Sequence, residues 1–430
     1  MCDNDLMHLV LYKDRSVLFN SDGRREEFLE GSQDQDTVDN FTKIKKELDN
    51  GYLERLLSNV HDFDFSLLDA GTKLLIDSMV AKVTSEVGRA LVGLSFLQLT
   101  IKSIVPSQSV RLHKGSVRKG AFSWVKGISM RTLDNTYNTP FLRKHNLLNI
   151  NKDGIMMTRS LAENYPYSLL YKAEMRGPFH EWIEVVDGLE YGKVEPLPAL
   201  NYLLSVLINR SSQIEELGNE ACRLVRNVKD VSFADCKDAL FGFFETTKYS
   251  ARAFEVVIHG FMQAYIELGL TDLELVPMSQ MRSANKKHHN VGDVELKEGR
   301  LIVEAWDAKF GKPYLYEELD ELRDKLESHD GVRLAGFIVD KGVVRKEDVE
   351  ERIQEVSFEE GVDVRIFDFD EWVEFKTEGL DEECLDVLGR RWVVAVVETF
   401  ARKRLEYAPI DEPCDEWLRD IIKMLEEKFS

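Results

Sequence analysis

The stretch Leu301-Ile302-Val303-Glu304-Ala305-Trp306-Asp307-Ala308-Lys309 constrains this chain more than any other part of it. A run this rich in aliphatic and aromatic side chains reads as a strand. Side chains alternate along a strand, so Asp307 and Lys309 project from the same face. Upstream, Val291-Gly292-Asp293-Val294 reads as a short strand. The segment Glu295 to Arg300, with Gly299 near its end, suits a hairpin turn between the two. Pairing these strands brings Asp293 beside Asp307.

Two adjacent carboxylates are what Mg2+ requires, a hard ion that takes oxygen ligands and completes its shell with water and substrate phosphate. Mn2+ or Ca2+ are alternative occupants of the same ligand set. Such an ion polarises a scissile phosphate and makes a nearby water easier to deprotonate. Lys309 is then placed to orient or deprotonate that water and to offset charge on the phosphorane. The spacing predicts a helix over Tyr249 to Leu268 with Glu255, His259 and Met262 on one face, and Glu255 completes the carboxylate set. Between helix and strands, the loop Met278 to Asn290 carries Arg282, Lys286, Lys287, His288 and His289, which would hold DNA phosphates beside the site. The pattern [DE]-x-K also occurs at 235–237, 295–297, 374–376 and 426–428. The 307–309 copy differs from these: it ends an apolar strand, follows a Gly-Asp step by fourteen residues, and comes after a helix bearing a Glu. The competing reading is an edge-strand ion pair between Asp307 and Lys309.

Composition sets the wider frame. A chain of 430 residues has room for two or three domains, and 43% hydrophobic with 31% charged residues is a globular balance. Apolar stretches such as Ala90 to Ile101 and Trp392 to Val397 read as too short to cross a bilayer. The first residues, Met1-Cys2-Asp3-Asn4-Asp5, lack a basic segment before an apolar one, so no secretory signal and no membrane association are expected. Cysteines at 2, 222, 236, 384 and 414 form no CxxC pair, which argues against a zinc site of that kind and for reduced thiols in a cytoplasmic protein. The net charge of −21 is unevenly spread. Residues 101–176 hold thirteen Lys/Arg against four Asp/Glu, a balance of +9, leaving −30 for the remainder. That basic island is either a phosphate-binding surface or a solvated basic face.

Five regions follow. Residues 1–104 form an N-terminal helical region, loop-like over Gly31 to Asp36, with Leu67, Leu68, Leu74, Leu75, Met79, Val83, Val87 and Leu91 as helical core positions. Residues 105–198 form a basic DNA-recognition region. There Phe122 to Val125 and Ile128 to Met130 read as small strands, and Thr139-Pro140 fits a helix start. A second helix is expected near Thr158 or Ser160, where Ser160-x-x-Glu163 fits a capping box. Helix, turn, helix beside a β element is winged-helix-like. The candidate base or phosphate readers are Arg111, His113, Lys114, Arg118, Lys119, Arg131, Arg143, Lys144 and Arg159, joined by Arg282, Lys286 and Lys287. Residues 199–234 are a helical connector, 235–375 the catalytic domain, and 376–430 a C-terminal helical extension with helices around Trp392–Leu405 and Asp415–Lys428.

The catalytic region resembles a known family. Its layout is a helix with Glu255, then Gly292-Asp293, Asp307-Ala308-Lys309 and Gly311. A helix at Leu315–Leu326, a strand at Leu334–Val339, a helix at Lys346–Val356 and a strand at Val362–Phe369 follow. This order is similar to the PD-(D/E)xK nuclease superfamily, most of all to the C-terminal cleavage domains of type IIS restriction endonucleases, and the resemblance covers roughly residues 235–375. It implies an α/β (α+β) fold with a restriction-endonuclease-like mixed sheet flanked by helices, behind a mostly helical N-terminal region. It also implies a catalytic triplet of Asp293, Asp307 and Lys309 with Glu255 as a supporting acid. The activity implied is that of a type II restriction endonuclease: Mg2+-dependent cleavage of double-stranded DNA to a 5′-phosphate and a 3′-hydroxyl. A homodimer and a cognate DNA methyltransferase in the same cell go with it. Gly292 departs from the family pattern, which has proline there. A structure-specific or repair nuclease of the same superfamily, and a DNA-binding regulator with an inactive nuclease scaffold, are the alternative readings.

Overall fold

A computed structural model describes residues 7–20, 23–83, 86–114, 123–148, 150, 153–157, 161, 166–170, 175, 177–278, 290–403 and 414–429. The chain forms two compact units, Met1–Ser212 and Gln213–Ser430, and the boundary lies within the 199–234 stretch read as a connector.

The first unit opens with an antiparallel sheet, β1 (His8–Leu11), β2 (Arg15–Phe19) and β3 (Arg25–Leu29), in that order. Helices α1 (Gln35–Asp49), α2 (Tyr52–Asn59), α3 (Ala70–Ala81), α4 (Glu86–Ile104), α5 (Met130–Leu133), α6 (Thr139–Lys144), α7 (Phe179–Glu190) and α8 (Pro196–Leu224) follow. Local chemistry sets several starts. Asp34 caps α1 by accepting from Thr37 N at 2.9 Å, and Asp69 caps α3 by accepting from Thr72 N at 2.8 Å. The apolar window of α4, Val87–Ile104, extends past the Ala90–Ile101 run and is long enough to cross a membrane by length and composition. It is 89% buried inside the protein, where Leu91, Val92, Leu94, Phe96 and Leu99 form the centre of the first core. Each such side chain stabilises the unit by about 1.5–3 kcal/mol.

The small sheet is not where the sequence placed it. Over 122–130 the described residues form only isolated bridges, Glu30 with Trp124 and His113 with Ile128, and Gly127 N closes a turn onto Trp124 O. The three strands lie instead at residues 8–29, where charged residues such as Arg25, Glu26 and Glu27 blur the two-residue alternation. The helix at Thr139 is present, but the second helix expected near Thr158 or Ser160 falls on residues outside the described set.

In the second unit, Ser232 caps α9 (Phe233–Thr246), which is followed by α10 (Ser250–Glu267). The sheet has the order β4 (Glu274–Leu275), β5 (Val294–Glu298), β6 (Leu301–Lys309), β7 (Leu334–Val339) and β8 (Asp363–Asp368). The first two pairings are antiparallel and the last two parallel, so the sheet is mixed. Parallel neighbours need long crossovers, and α11 (Tyr316–Leu326) and α12 (Glu347–Glu360) supply them. The unit closes with α13 (Phe369–Thr377), α14 (Glu382–Glu398) and α15 (Cys414–Phe429).

Alternation along β6 splits the core into two layers. Trp306 packs with α10, α13, α14 and α15 on one face, whereas Ala305 packs with Leu319, Leu322 and Leu326 of α11 on the other. The C-terminal helices are therefore built into the main core, through Trp392, Val396, Trp417 and Ile421, and are not an appendage. The Trp392 indole donates to Val257 O at 2.8 Å, pinning α14 to α10.

Candidate active site

The hairpin is tighter than expected. β5 runs through to Glu298, which pairs with Leu301, leaving a two-residue turn of Gly299 and Arg300. Gly299 has φ +63, a conformation that favours glycine. Val294 pairs with Trp306, so Asp293, one residue before the strand, falls beside Asp307. Asp293 Oδ2 accepts from Ala308 N at 3.1 Å, extending the ladder with a side chain.

Gly292 makes this approach possible. A Cβ there would lie 2.6 Å from Trp306 O and 2.8 Å from its carbonyl carbon. Only the missing side chain lets the turn rest on the β6 backbone, which is the physical reason for glycine at this position.

Asp307 and Lys309 share a face, and Lys309 Nζ lies 3.0 Å from Asp307 Oδ2. Asp307 is 7% exposed. Burial opposes its charged form, but a hydrogen bond with the Asp293 carboxyl and the fields of Lys309 and Lys325 outweigh it, holding the carboxyl down at about 2. The two carboxyl groups are thus in direct contact. Burial likewise opposes the charge on Lys309, yet the neighbouring Asp307 raises its pKa, so its ammonium stays charged at neutral pH.

Two further residues complete the centre. Lys325, from the last turn of α11, places Nζ 3.6 Å from Asp307 Oδ2 and donates to Val291 O at 3.2 Å. Glu295 is buried and accepts from Val291 N at 2.6 Å and Gly292 N at 3.3 Å, so it clamps the turn that carries Asp293. Burial raises its pKa. Glu295 had a signal in the sequence, since it stands two residues after Asp293 and shares its face, but it counted there only as a stray [DE]-x-K match. Lys325 had no comparable signal beyond its place beside the Leu322/Leu326 stripe.

Glu255 is held differently from its expected role. Its carboxylate pairs with Arg252, one helical turn earlier, and α10 covers the sheet face opposite the one on which Asp307 points. Among the described residues no cluster of three or more His, Cys, Asp or Glu side chains converges. An acidic pair of this kind fits Mg2+, which is commonly held by one or two carboxylates plus water and phosphate oxygens, and Asp293 and Asp307 are the residues that would hold it.

The candidate DNA readers divide into three groups. Arg118, Lys119, Arg159, Arg282, Lys286 and Lys287 lie outside the described residues. Arg111, Arg131, Arg143 and Lys144 are engaged within the protein. Arg111 is fully buried, 2.6 Å from Asp187 and 3.4 Å from Glu26, and donates to Tyr167 O, so it is a core residue and unavailable to a base or phosphate. Arg131 and Arg143 donate to Met156 O and Ile150 O, and Lys144 pairs with Glu54 at 2.8 Å. His113 accepts from Met130 N at 3.1 Å, which requires a bare Nδ1. Lys114 is half-buried, and its backbone N donates to Ile128 O.

His113 gives a pH signature. Burial, aided by the charge of Arg131, lowers its pKa from 6.5 to about 4. For a base whose folded pKa is depressed, the unfolded chain takes up the proton first. The stabilisation is complete above pH 6.5 and is lost as pH falls toward 4, by roughly 2–3 kcal/mol. Unfolding free energies measured from pH 7 to 4.5 should therefore fall less steeply for His113→Gln than for the parent; parallel profiles would show that the imidazole is accessible to protons.

No protein-family model and no curated protein matches this chain.

Proposed function

We propose that this chain is a Mg2+-dependent DNA endonuclease of the type II restriction class, cutting both strands of a specific duplex by phosphodiester hydrolysis. One observation carries the reading: Asp293 and Asp307 meet across a hairpin while Lys309 projects from the same face 3.0 Å away. A divalent ion bound there would supply Lewis-acid stabilisation of the phosphorane and a more acidic water. Asp293 and Asp307 would hold it from neighbouring positions, and the Ala308 N–H fixes the Asp293 carboxylate from behind.

Lys309, 3.0 Å from Asp307, would orient or deprotonate the attacking water and balance negative charge on the transferring phosphate. Cleaving both strands needs two such centres, and a homodimer on the duplex provides them. A DNA methyltransferase in the same cell would protect host sites.

A second reading, a structure-specific or repair nuclease of the same chemistry, is favoured by one observation. Arg111, the first of the candidate readers, is fully buried and paired with Asp187 and Glu26, so it is not presented to base edges. Digestion of a phage genome with Mg2+, against an EDTA control and with the ends sequenced, separates these readings. Discrete fragments sharing a sequence at a fixed distance from the cut are expected. A preference for branched over linear duplex would support the second reading. Intact DNA that is nonetheless shifted as a specific duplex would mean a DNA-binding regulator with an inactive centre.

A further inference from the structure

Lys325 lies sixteen residues beyond Lys309, on a helix rather than a strand, yet it reaches the same carboxylate. Leu319, Leu322 and Leu326 seat α11 on the sheet face from which Asp307 projects. That packing delivers Lys325, beside the stripe, to the edge of the centre, and a lysine in a last helical turn is also favoured by the helix dipole.

The flanking of Asp307 is the telling feature. Two ammonium groups stand against its Oδ2, Lys309 Nζ at 3.0 Å and Lys325 Nζ at 3.6 Å. A divalent ion entering the centre competes with both of them for that carboxylate.

The two lysines are not equivalent in this respect. Lys309 is at hydrogen-bond distance from Asp307, whereas Lys325 stands 3.6 Å away and has its own acceptor, Val291 O at 3.2 Å. Lys325 can give up Asp307 and remain hydrogen-bonded. Its acceptor belongs to the same turn that Glu295 clamps from the amide side, so Asp293 stays placed when Lys325 lets go.

We infer that Lys325 is a placeholder cation: it faces Asp307 while the centre is empty, and a divalent ion displaces it from that carboxylate on binding. The inference rests on the metal-dependent reading of the site. It makes Lys325 a positioning residue that sets ion affinity, distinct from Lys309, which faces the reacting phosphate. Removing its charge raises the net negative charge of the centre by one, and the gain is in ion binding.

The test uses the full-length protein with Mn2+ as probe, measured by titration calorimetry and by electron paramagnetic resonance. Lys325→Met is expected to bind Mn2+ at least about fivefold more tightly than the parent, while Lys325→Arg, which keeps the charge, binds within about twofold of it. Without Mn2+ the Met variant melts at a lower temperature, and added Mn2+ raises its melting temperature by more than it raises the parent's. Lys325→Gln replaces the Met variant if circular dichroism shows the latter to be unfolded. Mn2+ affinity unchanged or weaker in the neutral variants, with the parent binding normally, overturns the placeholder and leaves the nuclease reading standing. A parent that neither binds Mn2+ nor cuts DNA overturns both.

Discussion

Asp307→Ala is expected to abolish Mg2+-dependent cleavage, lowering the turnover number by at least about a thousandfold, while DNA binding stays within a few fold of the parent. The reason is positional. Asp307 is the point at which Asp293, Lys309 and Lys325 all converge, so its removal takes away one of the two proposed ion ligands and the group that Lys309 and Lys325 both face. A thousandfold corresponds to roughly 4 kcal/mol of lost transition-state stabilisation, within the range for losing a metal ligand's contribution. Phosphate binding does not depend on an acidic side chain, so the salt dependence of binding should be unaltered. The substitution leaves two ammonium groups facing an empty, largely buried position, and some loss of stability will accompany it. Asp307→Asn, which keeps shape and hydrogen bonding, controls for this: it should be nearly as inactive and closer to the parent in melting temperature. Filter binding in Ca2+ and single-turnover cleavage in Mg2+ read the two effects separately. Equal loss of binding and cleavage in both variants would reduce Asp307 to a structural ion pair.

The second large effect concerns stability. Arg111→Met should destabilise the first unit by about 3 kcal/mol, lowering its melting temperature by roughly 6–12 °C. The guanidinium is fully buried, answers two carboxylates, Glu26 and Asp187, donates to Tyr167 O and lies 5.3 Å from the centre of the Tyr191 ring. Attraction to those carboxylates outweighs the cost of burial and raises its pKa. Methionine fills similar volume but leaves both carboxylates without their counter-charge, and breaking one partner of a buried pair is the costly change. Calorimetry at neutral pH reads the loss. If Arg111→Met melts like the parent and instead weakens DNA binding with a smaller salt slope, the arginine is a DNA contact after all.

These two residues mark the limits of reading a chain by its order. Asp307 was legible because its signal is local: a two-residue alternation, an apolar strand, a glycine at a tight turn and an acid fourteen residues upstream all lie within one hairpin. The order of helices and strands over 315–368 was legible for the same reason, since periodicity acts between residues a turn or two apart, although the helix expected to end at Val356 runs on to Glu360. Arg111 looked like a DNA reader because it stands in a basic stretch, and sequence charge says nothing about which carboxylates fold over it. The small sheet at 8–29 escaped notice because its strands are short and rich in charge, and pairing with one another makes them strands.

The sequence by itself determined the hairpin, the common face of Asp307 and Lys309, and the order of strands and crossover helices, because each depends on the geometry of contiguous backbone. Tertiary structure alone decided which distant groups share that face. It brought Lys325 to Asp307, and it drew Arg111 into the core against Glu26 and Asp187. Such meetings are fixed by how whole elements pack, and packing of that kind joins residues whose separation along the chain carries no trace of it.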